Sequence, residues 1–150
     1  MLFRSLALLD RLDEPPRPGR DGSLAEVAAS EFRRLRKAVR ALPPEPADEE
    51  LHASRIKTKR ARYAAELVEG KAAAAFVARA KELQDVVGEH QDAAVASGRI
   101  ADLARRLGDP GTALAAGRLL ERGHARRRAA RAAFPGAWKR LERAGKRAWG

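Results

Sequence analysis

The chain has 150 residues, the size of one ordinary domain, and its 31 Lys and Arg against 20 Asp and Glu give a formal charge of +11 at pH 7. That balance attracts polyanions, whether nucleic acid, anionic lipid or polyphosphate. The absence of cysteine excludes disulfides and thiolate metal sites.

The apolar share of 45% rests largely on alanine, with aromatics at 5%, so the core is expected to be thin and built from closely approaching helices. At the start, the longest uninterrupted apolar run before Asp10 and Arg11 is Leu6 to Leu9, too short for the core of a signal peptide. The longest apolar run, Ala72 to Ala78, falls far below the ~20 residues of a bilayer span. No membrane association is expected, and the sequence reads as that of a soluble, cytoplasmic protein.

Residues 1–22 read as a short leading helix followed by a link, because the stretch from Glu14 to Gly22 holds three prolines and two glycines. The remainder, 23–150, reads as one helical bundle. Ser23 followed by Glu26 is a capping-box pair, and Leu24, Ala28, Phe32, Leu35, Val39 and Leu42 recur at steps of three and four. A helix from about Ser23 to Leu42 follows, with Arg33, Arg36, Lys37 and Arg40 on the side away from its Leu35–Val39 seam.

Pro43, Pro44 and Pro46 stop that helix, and Asp48, Glu49 and Glu50 suit the positive end of the next. The next helix carries the most informative pattern in the chain. At ~100° per residue, His52, Arg55, Lys59 and Arg62 fall within an arc of roughly 80°, and no acid stands between Glu50 and Glu66 to neutralise them. Lys57 and Arg60 either contribute from the edges of this face or pair with acidic residues on neighbouring helices. The helix is expected to end near Gly70.

Ala75, Phe76, Ala80, Leu83 and Val87 mark a further amphipathic stretch to Gly88. Gly88 either kinks one long helix continuing through Ala96, Ile100, Leu103 and Leu107 or separates two helices. Gly108 to Gly111 form a break, Thr112 is a candidate cap for a helix to about Ala133, and Pro135-Gly136 is expected to precede a final short turn bearing Trp138 and Leu141. Arg118, Arg122, Arg126, Arg127, Arg128 and Arg131 add further cations, not all of which can face one ligand. His90 and His124 are expected on helix surfaces. Glu89, His90 and Asp92 lack a strong ligand spacing, so neither a metal nor another cofactor is expected.

No stretch alternates with period two, so the fold class is all-α, an antiparallel helical bundle. Without paired catalytic carboxylates or a metal cluster to hold attacking water, binding is expected rather than catalysis.

Two segments are similar to a known family. Leu51-His52-x-x-Arg55-Ile56-x-x-Lys59-Arg60-x-Arg62-Tyr63-Ala64-x-Glu66 resembles the signature helix of the CHAD family, the conserved histidine α-helical domains. Lys81-x-Leu83-Gln84-Asp85-x-x-Gly88-x-x-x-Asp92 resembles the family's second motif. The resemblance runs from about Glu31 to Leu107. It implies a helical bundle whose basic surface binds inorganic polyphosphate, without known catalysis. Family members of usual length hold two related halves, and this chain resembles the second of them, a CHAD-like half-domain. A homodimer, a complementary half on another chain and a degenerate remnant all fit that pattern.

Polyphosphate has no bases to read, so a row of arginine forks and mobile lysine charges suits it, with strong salt dependence by analogy with nucleic acids. Arg55, Lys59 and Arg62 are the primary candidates, with Lys57, Arg60 and the earlier set of Arg33, Arg36, Lys37 and Arg40 beside them. His52 has two roles open to it: donation to phosphate as imidazolium, or a neutral hydrogen bond to a neighbouring helix. Gln84, Asp85 and Asp92 read as structural, orienting arginines or capping around Gly88. The competing function is sequence-independent nucleic-acid binding, weakened by the scarcity of aromatics for base stacking. If polyphosphate is the ligand, the protein is expected at polyphosphate granules.

Overall fold

The loop signals at Pro43–Pro46, Gly70 and Gly108 each fall between helices. The computed structural model describes residues 23–150 and contains α1 (Leu24–Arg40), α2 (Asp48–Glu66), α3 (Lys71–Leu107) and α4 (Pro110–Trp149). Among the described residues there is no strand. The leading helix and link expected over residues 1–22 lie outside the described residues.

The first two helices start as their sequences require. In α1 the Glu26 N–H donates to Ser23 Oγ at 3.2 Å, and the Ser23 N–H donates to Glu26 Oε2 at 2.9 Å. Both groups would otherwise be orphaned at the helix terminus. In α2 the Glu50 carboxylate accepts the Ala47 N–H at 2.7 Å, so one of the three first-turn acids also completes the cap.

The fork at Gly88 resolves to one helix, since α3 runs unbroken through it to Gly108, which adopts φ 68° and ends the helix with a left-handed cap. Two expectations for α4 are corrected. Its N-cap is Asp109, whose carboxylate accepts the Thr112 N–H at 3.1 Å with Pro110 in the first turn, so Thr112 is the capped residue and not the cap. Nor does the helix stop at Pro135-Gly136, because α4 continues to Trp149. A mid-helix proline costs about 3 kcal/mol, but the turns beyond it place Ala137, Trp138 and Leu141 in the core. Burying a Leu-sized side chain contributes about 1.5–3 kcal/mol, so two large side chains suffice to keep the helix going.

The helices form a closed ring in which α1 packs on α2 and α4, and α3 packs on α2 and α4. Neighbours are antiparallel: Glu89 and Glu82 of α3 meet Arg126 and Arg140 of α4 in reversed order. Phe32, Leu35, Phe76, Leu83, Trp138 and Leu141 fill the centre among alanines, with Phe32 and Phe76 edge to face at 5.6 Å. At 1.5 Å per residue α3 and α4 span ~55 and ~60 Å, about twice α1 and α2. Their far ends therefore project as a two-helix hairpin that exposes Val95, Leu103, Leu107, Leu114 and Leu119.

Candidate polyanion-binding site

The buried face of α2 consists of Leu51, Ser54, Thr58, Ala61, Ala64 and Ala65. The Ser54 and Thr58 hydroxyls donate to carbonyls within the helix, those of Leu51 and Ser54 respectively. With that face fixed, the 3.6-residue repeat turns His52 and Arg55 toward α3. The His52 ring stays exposed while its Nδ1 pairs with Gln91 Oε1 of α3 at 3.2 Å. An amide oxygen can only accept, so the proton sits on Nδ1 and Nε2 is left over.

One turn on, the Arg55 guanidinium lies across Gly88. A side chain carbon on that glycine would sit 3.7 Å from Arg55 Nε, which is ordinary contact. The glycine leaves a flat shelf on α3 beneath the guanidinium, and one residue from each of the two sequence motifs meets here. Arg55 Nε is buried with no hydrogen-bond partner. The side chain opens on a groove of about 620 Å³ lined also by Gln91, Asp92, Val95, Ala96, Arg99 and Ile100. Arg99 was missed in the sequence. It stands three turns after Gly88 on the same helix, so its position on this side of α3 follows from the helical repeat.

Farther along α2, the Lys59 ammonium and the Arg62 guanidinium stand 5.4 and 4.8 Å from the centre of the Tyr63 ring, within cation–π range. Arg62 also approaches Glu66 at 3.4 Å. Lys59 has no carboxylate partner among the described residues, and neither does Arg55. Arg60 leans the other way, toward α1, where it reaches the buried Glu31 at 3.4 Å beside Arg34 at 2.9 Å. Lys57 is exposed and makes no ion pair among the described residues.

The cations of α1 do not join this groove. Arg36 and Arg40 both donate to Glu142 Oε1 of α4, at 3.1 and 2.7 Å, on the side of α1 away from α2. Burial pushes the Glu142 carboxyl up, but its bonds to Arg40 and Arg36 and the charge of Lys146 outweigh that and hold it below the usual range. Arg33 and Lys37 are exposed. Sequence periodicity put all four on one side of α1 but could not say which neighbour that side meets. Much of the α4 arginine cluster is also engaged: Arg126 with Glu89, Arg127 with Asp48 and Arg128 with Glu121.

His90 is a correction. It is 3% exposed instead of lying on the surface, and its Nε2 accepts from Arg131 Nε at 3.1 Å. Arg131 also donates to the Pro46 carbonyl at 2.7 Å and to Asp48 at 2.8 Å, tying the proline loop to α4. Burial lowers the His90 pKa, the Arg131 and Arg127 charges lower it further, and Asp48 opposes them. No group of three or more His, Cys, Asp or Glu side chains placed to hold a metal occurs among the described residues.

Fold and groove together define an all-α bundle with a basic helix laid against a glycine shelf. A family model described as CHAD domain matches residues 3–101, and the chain belongs to that family. The match takes in α1, α2 and most of α3, both motif segments included, and leaves α4 outside. No curated protein and no solved structure matches the chain.

Proposed function

We propose that the protein binds inorganic polyphosphate along the α2–α3 groove without catalysing a reaction on it. One observation carries this reading: Arg55 is held over Gly88 with its Nε buried and unpartnered, in a groove where Arg99 adds charge and Asp92 is the one carboxylate among the lining residues. Membership of the CHAD family supports the choice of polyphosphate among polyanions. Arg55, Lys59 and Arg62 make the main contacts, and His52, as imidazolium, donates to the ligand through Nε2. Lys57 and Arg60 flank them. Arg33, Arg36, Lys37 and Arg40 act at a distance through the positive field of α1. No metal or other cofactor takes part, and the protein acts in the cytoplasm at polyphosphate deposits. No helix among the described residues is long and apolar enough to cross a membrane.

The test is a binding isotherm with long-chain polyphosphate for the parent and for Arg55→Glu with Lys59→Glu. Binding should be nearly lost in the double variant while helicity is kept, and unchanged affinity would remove the groove as the site. Competition between polyphosphate and duplex DNA at matched salt separates this reading from sequence-independent nucleic-acid binding, since preference for the duplex would favour the latter.

A second reading concerns assembly. Leu103, Leu107, Leu114 and Leu119 of the projecting hairpin are each about half exposed or more, apolar area that self-association would remove from water. We propose that a second copy of the chain covers it, the paired subunits serving as the two halves that the family resemblance implies. Sedimentation reads the outcome directly: a dimer supports it, and a monomer at high concentration with and without polyphosphate rejects it.

A further inference from the structure

The last turns of α4 and the first turns of α3 build a second cationic groove that neither motif predicts. Lys71, Arg79, Arg140, Arg143 and Arg147 line a depression of about 450 Å³ whose remaining walls are Ala72, Ala75 and Ala144. One carboxylate serves this set, Glu82, which pairs with Arg79 and with Arg140. Lys71, Arg143 and Arg147 make no ion pair among the described residues. Five positive groups therefore share one negative partner.

Helix electrostatics do not account for this arrangement. Arg147 lies in the last turn of α4, where a cation is favoured. Lys71 sits at the opposite kind of terminus, opening α3 where the macrodipole disfavours positive charge, and that turn contains no acid. A cluster in which like charges face one another and Lys71 also opposes its own helix is stabilised by an anion residing in it.

The lining also narrows the class of anion. It contains no aromatic ring on which a base could stack and no large apolar side chain to seat an acyl chain, while the alanine floor leaves room for a slender ligand between guanidinium groups. We infer that the α3–α4 groove is a second anion site, taking an unbranched inorganic oligophosphate. The site is separate from the α2–α3 groove. The two grooves share no lining residue, and by the helical repeat Asp85 of α3 lies between them. A protein with two such sites joins separate stretches of polyphosphate instead of coating one.

The inference stands without the assignment of the α2–α3 groove, and the test keeps the two apart. Tripolyphosphate is titrated calorimetrically into the full chain, into Arg143→Glu with Arg147→Glu, into Arg55→Glu with Lys59→Glu, and into the fourfold variant, with helicity checked by circular dichroism. Two equivalents are expected for the parent and one for each double variant, the affected site weakening by ~10-fold or more. Arg143→Gln with Arg147→Gln, which removes charge without reversing it, should show an intermediate loss. Binding that disappears with the α4 pair alone sustains this site and rejects the other groove. Binding left unchanged by the α4 pair, in stoichiometry and affinity, overturns the inference, as does displacement of tripolyphosphate from this site by a single-stranded oligonucleotide of equal charge.

Discussion

Phe32 of α1 occupies the space that any side chain on Gly145 of α4 would need. A methyl group built on that glycine runs into three atoms of the Phe32 ring, and the ring, 2% exposed, is held edge-on against Phe76. The glycine is what allows α1 and α4 to approach at this level.

Gly145→Ala should therefore destabilise the protein. Alanine gains about 1 kcal/mol in helix propensity, whereas overpacking a fixed core costs about 1–3 kcal/mol, so the expected net loss is up to about 2 kcal/mol. Gly117→Ala supplies the control, since the space around that glycine is open and only the propensity gain remains. Urea unfolding of both variants should show opposite signs. Two stabilised variants would mean that the Phe32 contact is not tight.

Much of this fold is legible in the sequence. Ser23 and Glu26, the prolines from 43 to 46 and Gly108 mark helix ends that involve only a few neighbouring residues, and the apolar spacing of Phe32, Leu35 and Val39 identifies a buried face without knowledge of the partner. The features missed depend on residues far apart in the chain. Pro135 stays helical because Trp138 and Leu141 find a core provided by α1 and α3, and His90 is buried because Arg131 and Asp48 arrive from other helices. The same reasoning applies to the site: periodicity aligned Arg55 with Lys59, but only packing shows that Arg36 and Arg40 turn to Glu142.

Acid should loosen the molecule in two stages. His90 has a lowered pKa, so between its folded value and the unfolded value near 6.5 the unfolded chain binds the extra proton. The contribution of neutral His90 is thus complete above about pH 6.5 and is lost as pH falls toward the folded value. Asp48 in the same network is pushed up by burial, but Arg127, Arg131 and His90 more than offset this and leave its pKa lowered from 3.8. Its contribution is present above that value and disappears only at more acid pH. His90→Gln, which keeps an acceptor for Arg131, should flatten the first stage and leave the second. Thermal unfolding at a series of pH values reads both, and an unaltered first stage would show that another group produces it.

The projecting hairpin gives a prediction about association. Leu103 and Leu107 are more than half exposed and make no contribution to the central cluster, so Leu103→Glu with Leu107→Glu should leave the melting of a monomer almost unchanged. If a second copy covers these leucines, the same variant should shift the sedimentation profile from dimer to monomer. An unshifted dimer would locate the interface elsewhere.

Gly88 offers the sharpest probe of the α2–α3 groove, because it lies beneath Arg55, the arginine proposed to hold the ligand, without carrying charge itself. A methyl group there meets Arg55 at ordinary contact distance, so Gly88→Ala should fold well, gain about 1 kcal/mol of helix stability and bind polyphosphate nearly as the parent does. Gly88→Leu places three more carbons where the guanidinium lies. Arg55 must then swing into solvent, where its charge still adds to the general field but no longer converges with Arg99. Polyphosphate affinity should fall several-fold at unchanged net charge, while the salt dependence, set by how many phosphates are neutralised, drops by about one contact. A purely diffuse basic surface predicts equal binding for parent, Gly88→Ala and Gly88→Leu, and that result would show that the shelf beneath Arg55 has no part in recognition.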